Sequence, residues 1–143
     1  MKARILSEPG TEGREDFLAA ADTIREIAEN AGRGDEYVDI ILIDRDEMEV
    51  LNRNYKKREG AAEVLTFPYR EDEFREPDSS LNGEIYLCWG PICEGAESRG
   101  VEPGLYLLRL AVHGICHLLG YSHHDQKSAE KMEEEEIKRM SAY

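Results

Sequence analysis

Short apolar runs recur along the chain and predict four strands. Residues 3–6 form a small apolar run suited to an edge strand, and Tyr37–Ile43 (YVDIILI) is β-branched and continuous enough to be a buried strand. Residues 63–69 predict a third strand, with Pro68 marking its end or an exposed edge. Residues 83–89 alternate between apolar and polar side chains and predict the fourth strand.

Five helices are predicted between and after these strands. Apolar residues at helical spacing predict the first, second and fourth, a proline at the start predicts the third, and the last is highly charged. Asp44 is a candidate N-cap for the second helix, and Gly120 breaks the fourth. Pro91 and Pro103 suit the first turns of the third and fourth helices. The helices are predicted at residues 15–31, 44–55, 91–99, 103–119 and 127–140. The order β-α-β-α-β-β-α-α-α, with an acidic loop at 70–82, predicts a single α+β or mixed α/β domain over residues 1–143.

An acidic charge balance narrows the possible partners. The chain has 31 Asp and Glu against 18 Lys and Arg, and its formal net charge of −13 argues against nucleic-acid binding through overall positive charge. The sequence shows no apolar secretory segment and no stretch long enough to span a bilayer. Three cysteines are an odd number and too few for a disulfide scaffold, so a reducing, cytoplasmic setting is the simplest interpretation.

All four histidines lie within twelve residues of one another and carry the main chemical signal. His113 and His117 are four positions apart on the predicted apolar helix, so both imidazoles lie on one face. Gly120 can end that helix and turn the chain back, which would bring His123 to the same point. Three histidines with a fourth position left for water are typical of a catalytic zinc site. His124 fits this pattern less well as the third ligand, and the alternative for the whole set is a group of core or helix-end histidines.

Three neighbouring positions bear on the interpretation of the histidines as a metal site. Gly114 stands where zinc peptidases of the His-Glu-x-x-His type carry their general base, so peptide hydrolysis is disfavoured. Asp125 either accepts a hydrogen bond from an imidazole and so orients it, or is an N-cap for the last helix. Cys116, one position off the histidine face, is expected to be a packed thiol.

A basic segment, residues 51–58, contains four Lys and Arg, no acid and one aromatic residue, Tyr55. Cations beside an aromatic ring are what single-stranded RNA recognition uses. The alternative is a solvated helix end, where cations favour the helix dipole. Among the acids, residues 133–136 are expected to form a solvated face, and Glu63 and Glu84 to be surface acids at strand ends, with proton transfer as their alternative role.

Three segments resemble the YbeY family, bacterial metal-dependent endoribonucleases that mature ribosomal RNA. Residues 112–124, VHGICHLLGYSHH, resemble the family signature H-G-x-x-H-L-x-G-Y-x-H. Residues 51–69, LNRNYKKREGAAEVLTFPY, are similar to the block L-N-x-x-Y-R…P-T-D-V-L-S-F-P, and residues 82–85, NGEI, to the strand L-G-D-I. The resemblance covers residues 37–140 in order, and the histidine motif is its most specific part.

The resemblance implies a small, mixed, mostly parallel sheet packed by helices, with a zincin-like site in which His113, His117 and His123 bind one Zn²⁺. It implies hydrolysis of single-stranded ribosomal RNA during 3′-end maturation of the small-subunit (16S) RNA and in ribosome quality control, in the cytoplasm. A basic small-subunit ribosomal protein and a ribosome-assembly GTPase are candidate partners, and no membrane is involved.

Departures from the family pattern affect the substrate side of the site. Lys56 stands where the family has the arginine thought to contact phosphate, which keeps the charge and loses the bidentate fork. Residues 61–63, AAE, replace Pro-Thr-Asp, and Ser122 replaces the Asp before the third histidine. We assign Lys56 the catalytic role of holding the phosphate and stabilising its developing charge, with the neighbouring cations Lys57 and Arg58 as alternatives. Two other hypotheses stay open: a metallohydrolase of peptides or small amides, and a non-enzymatic, metal-stabilised ribosome assembly factor.

Overall fold

The computed structural model describes residues 1–69, 81–120 and 126–141, without the side chains of Gln126 and Ser141. Within these ranges the order of elements is the predicted one. The strands are β1 (Lys2–Ser7), β2 (Tyr37–Ile43), β3 (Val64–Pro68) and β4 (Leu81–Cys88). The helices are α1 (Arg14–Asn30), α2 (Arg45–Leu51), α3 (Trp89–Arg99), α4 (Pro103–Leu118) and α5 (Gln126–Ser141). A π-helical turn, Asn52–Lys56, continues directly from α2.

The four strands form one mixed sheet in the order β1-β2-β4-β3. The pairs β1–β2 and β2–β4 are parallel, and β3 pairs with β4 in the antiparallel sense. Because β2 is central and covered on both faces, it is a nearly continuous apolar run. Pro68 is the last residue of the edge strand β3, where its missing N–H costs no ladder hydrogen bond. The mostly parallel sheet and the edge position of β1 are therefore confirmed.

Alternating side chains divide the core between the two faces of the sheet. On one face, Ile40 and Ile85 belong to the main cluster, which includes Val112 and Ile115 of α4. On the other face, Ile43 packs in a smaller cluster with residues such as Met48 of α2. Since successive strand residues point to opposite faces, α4 and α2 lie on opposite sides of the sheet. This separation decides which functional residues can meet.

The structure corrects several predicted boundaries. Leu81 and Asn82 belong to β4 and not to the preceding loop, whose residues 70–80 lie outside the described part of the chain. Trp89 begins α3 and is not the end of the strand. The helix predicted through Tyr55 is α-helical only to Leu51, after which it becomes the π-helical turn.

Candidate functional site

The histidine pair lies on α4, at its partly exposed positions. Pro103 opens this helix, as predicted, and Leu119 ends it, followed by Gly120 with a φ of +102°. Between Ala111 and Leu118 every residue except His113 and His117 is buried. The four-residue spacing thus gives the expected result: both imidazoles lie on the one stripe of the helix that the core leaves accessible.

Close packing holds α4 against the sheet at the glycine between the two histidines. A Cβ added to Gly114 would lie 2.7 Å from Cδ1 of Ile85 on β4. The position that carries the general base in His-Glu-x-x-His peptidases therefore faces the core of this protein. The sequence showed that the glutamate is missing, and the packing shows that there is no space for one.

A buried carboxylate from α5 meets His113. Oε1 of Glu136 lies 2.5 Å from Nδ1 of His113, and their side chains are 10% and 37% exposed, respectively. Because a carboxylate only accepts hydrogen bonds, Nδ1 carries the hydrogen and donates it. The prediction that residues 133–136 form a solvated face is wrong for Glu136, although Glu133 and Glu134 are exposed. No local signal identified Glu136, because the contact joins residues 23 positions apart.

A cavity of about 430 Å³ opens beside this pair. Its cationic side chains are Arg99 and Arg109, and Val64 of β3 lines it from the sheet. Arg109 precedes His113 by four residues, so it continues the histidine stripe along α4. The cavity lies between α4, α5 and the beginning of the edge strand, where it can admit a polar ligand to the face of His113.

The remaining predicted residues of the histidine region, from Ser122 to Asp125, lie outside the described part of the chain. These include His123, the predicted third ligand, and His124. Among the described residues alone, no three His, Cys, Asp or Glu side chains form a group that could hold a metal ion. The positive φ of Gly120 fits the predicted turn, since that conformation favours glycine.

Lys56 lies in a different cavity, of about 420 Å³, formed by the π-helical turn and the β3–β4 pair. Its Nζ is 5.7 Å from the centroid of the Phe67 ring, and Tyr55 contacts the same ring edge-on at 5.5 Å between centroids. The residues lining this cavity do not include His113 or His117. The structure thus brings Lys56 together with aromatic rings, as the basic segment predicts, and does not bring it to the described histidines.

The two strand-end acids are partly buried and engaged, so the prediction of simple surface acids is wrong. Glu63 accepts a hydrogen bond from the hydroxyl of Tyr106. Glu84 accepts hydrogen bonds from the hydroxyls of Tyr69 and, at 2.5 Å, Tyr86. Burial is the largest cause of a raised pKa in both phenols, and the hydrogen bond to Glu84 is the second. The pKa of Tyr69 is raised to about 12, and the pKa of Tyr86 is raised more than that of Tyr69. These phenols therefore stay protonated donors at neutral pH.

The thiol between the two histidines is inert. Cys116 is fully buried, and this burial raises the pKa of its thiol to about 11. Cys88 is buried as well, with a pKa also raised to about 11 by burial. The prediction that Cys116 is a packed thiol is confirmed.

The protein is of the α+β class. Its mixed four-stranded sheet packs, on the face with the larger core cluster, against α4, the helix that carries the His-x₃-His pair. The comparisons with known proteins place it within that class. The sequence model of the family described as "Endoribonuclease YbeY" matches residues 10–143. The chain belongs to the YbeY family.

Individual relatives agree with this placement. Endoribonuclease YbeY of Neisseria meningitidis serogroup C is 34% identical over 107 residues, which cover 73% of this chain and 63% of the relative. The protein of the same name from Methylobacillus flagellatus is 34% identical over 118 residues, covering 82% and 75%, respectively. The solution structure of TM1509 from Thermotoga maritima is 29% identical, with a TM-score of 0.63 over 98% of this chain and 90% of that one. The chain thus spans less than two thirds of the length of the Neisseria relative.

No helix in the described part of the chain is long and apolar enough to cross a membrane.

Proposed function

We propose that this protein is a zinc-dependent endoribonuclease that cleaves single-stranded ribosomal RNA during 3′-end maturation of the small subunit and in ribosome quality control, in the cytoplasm. The observation that carries this proposal is the accessible His113–His117 pair on α4 in a chain of the YbeY family. The relatives carry the name endoribonuclease. Gly114, packed against Ile85, speaks against the alternative of peptide hydrolysis.

The residues present fit a zinc ion. His113, His117 and His123 would be its ligands, and imidazole nitrogens are donors that zinc prefers. His113 donates from Nδ1 to Glu136, and in that tautomer the ring lone pair is on Nε2, the form in which an imidazole binds a metal through Nε2. When bound, zinc supplies a water molecule of lowered pKa and a Lewis acid for a phosphoryl oxygen.

The chain itself would bind and orient the RNA. The basic segment 51–58 is exposed from Arg53 onwards, so its four cations are available to phosphates. Lys56 would hold a phosphate of the substrate next to the rings of Tyr55 and Phe67, against which a base can stack. The rest of the chain is acidic, and we infer that a basic small-subunit ribosomal protein helps to deliver the substrate.

The test compares zinc content and RNA cleavage in four purified proteins: wild type, His113→Ala, His123→Ala and His124→Ala. We expect about one zinc ion per wild-type chain, and cleavage that a chelator abolishes and added zinc restores. His113→Ala and His123→Ala should lose both zinc and cleavage, whereas His124→Ala, the matched control, should keep its zinc.

Three results would contradict the proposal. Cleavage by His113→Ala at the wild-type rate would exclude the metal mechanism. A zinc-loaded wild type that binds ribosomal subunits and cleaves no RNA would favour the assembly factor. Zinc loss in His124→Ala but not in His123→Ala would show that His124, and not His123, is the third ligand.

A further inference from the structure

The contact between α5 and His113 needs a physical reason, because burying a carboxylate is costly. Glu136 is 7% exposed and lies in a run of four glutamates of which Glu133 and Glu134 remain exposed. A buried charge is tolerated when a hydrogen-bonding partner compensates it. The partner of Glu136 is Nδ1 of His113, at 2.5 Å.

The packing of α5 directs this carboxylate towards α4. Met132, one helical turn before Glu136, is 1% exposed and belongs to the main core cluster. Residues four apart share one face of a helix, so anchoring Met132 in the core turns Glu136 towards α4. Ile137, the next residue, is 59% exposed on the outer side of the helix. The contact is thus a consequence of how α5 docks.

The hydrogen bond controls the state of the imidazole. A neutral imidazole has one N–H and one lone pair, and the partner of the N–H decides which nitrogen carries the hydrogen. With Nδ1–H held by Glu136, the lone pair is on Nε2 and the ring plane is fixed. A carboxylate acceptor also makes the other nitrogen a more basic ligand.

We propose that Glu136 is the positioning residue of the metal site: it selects the Nε2 lone pair of His113 and fixes the ring in the orientation that binds the ion. This inference rests on the proposed function, because it takes His113 to be a zinc ligand. It adds α5 to the site, an element outside the histidine motif.

The test measures the zinc dissociation constant by competition with a chelator for wild type, Glu136→Ala, Glu136→Gln and Glu134→Gln. Removing the acceptor should weaken zinc binding about 10- to 100-fold in Glu136→Ala. Glu136→Gln keeps an acceptor oxygen and should recover part of that loss. Glu134→Gln removes the same charge from an exposed position of the same helix and should bind zinc as wild type does.

A second measurement reads the ring directly. Nitrogen NMR of the metal-free protein should show His113 in the Nδ1–H form in wild type and a mixture of tautomers in Glu136→Ala. The nearly isosteric Glu136→Gln should preserve folding, so its dissociation constant remains informative if the alanine variant does not fold.

The outcomes separate the two proposals. If wild type and Glu136→Ala bind zinc equally and show the same tautomer, the positioning role is excluded while the zinc site stands. If Glu134→Gln weakens binding as much as Glu136→Ala does, the effect is one of overall charge and the positioning role is also excluded. If wild type binds no zinc, the proposed function fails first and the inference with it.

Discussion

At the scale of single residues, two glycines determine how α4 meets the sheet. Gly114 lets the helix approach Ile85, and Gly83 on β4 lets Leu118 approach from the end of the same helix. A Cβ at position 83 would lie 2.5 Å from Cδ2 of Leu118 and 2.7 Å from the backbone oxygen of Phe67. Leu118 follows His117, so this packing fixes the end of the helix that carries the histidine pair.

We therefore expect Gly83→Ala to destabilise the fold by about 1–3 kcal/mol, the usual cost of overpacking, because a backbone oxygen cannot move aside as a side chain can. Urea denaturation measures this free energy. Gly104→Ala is the matched control, since its Cβ would meet only the exposed carboxylate of Glu102, no closer than 3.1 Å. Equal stability of Gly83→Ala and wild type would show that Leu118 of α4 and Phe67 of β3 do not pack this closely against Gly83.

At the scale of elements, the N-terminus of α4 has its own cap. The sequence predicts the start of the helix from Pro103, and the structure adds Glu102 at the N-cap. Its carboxylate accepts hydrogen bonds from the backbone N–H groups of Gly104 at 2.9 Å and Leu105 at 2.8 Å. These hydrogen bonds lower the pKa of Glu102 below its ordinary value of 4.5, and the one from Gly104 contributes more than the one from Leu105.

This cap predicts a pH dependence. A carboxylate whose pKa is lowered by folding stabilises the folded state above its ordinary pKa, and the contribution disappears as the pH falls through the lowered folded pKa. Glu102→Gln should therefore melt at a lower temperature than wild type at neutral pH, and the difference should shrink below about pH 4.5. Thermal unfolding followed by circular dichroism measures both. A difference in melting temperature that stays the same across the acid range would contradict the prediction. Glu97→Gln on α3 is the control, because it removes an exposed acid that is not an N-cap.

Most elements could be predicted because their hydrophobic periods are local. Tyr37–Ile43 matches its prediction at both ends, since a short run rich in β-branched residues favours a strand over a helix. The π-helical turn at Asn52–Lys56 could not be predicted, because its apolar spacing continues that of α2. Within this turn, the side chain of Asn52 donates a hydrogen bond to the carbonyl of Gly60, a contact that apolar spacing does not reveal.

At the scale of the whole molecule, the histidine pair was predictable and its surroundings were not. His113 and His117 follow from a spacing within one helix, whereas Glu136 comes from another helix and Lys56 from the other side of the sheet. A short sequence window carries no information on which face of a sheet a distant residue will occupy. The proposed RNA site therefore extends around the edge strand β3, from the cavity of His113 to that of Lys56.

The charge distribution predicts how strongly the proposed RNA substrate binds. The exposed basic segment 51–58 contributes four positive charges, which leaves a net charge of −17 for the remainder of the chain. Single-stranded RNA releases about 0.7 counterion for each phosphate neutralised, so four contacts give a slope of about −3 in a plot of log affinity against log salt. We expect weak binding at physiological salt, measured by fluorescence anisotropy with a labelled oligonucleotide. The basic segment alone should give a slope of about −3, and each contact made by Arg99 or Arg109 in the cavity beside His113 should steepen it by about 0.7. Lys56→Gln should make the slope shallower by about 0.7, whereas Lys138→Gln on α5 should not change it. Tight binding at physiological salt, or equal effects of the two substitutions, would show that the RNA contacts lie outside the basic segment.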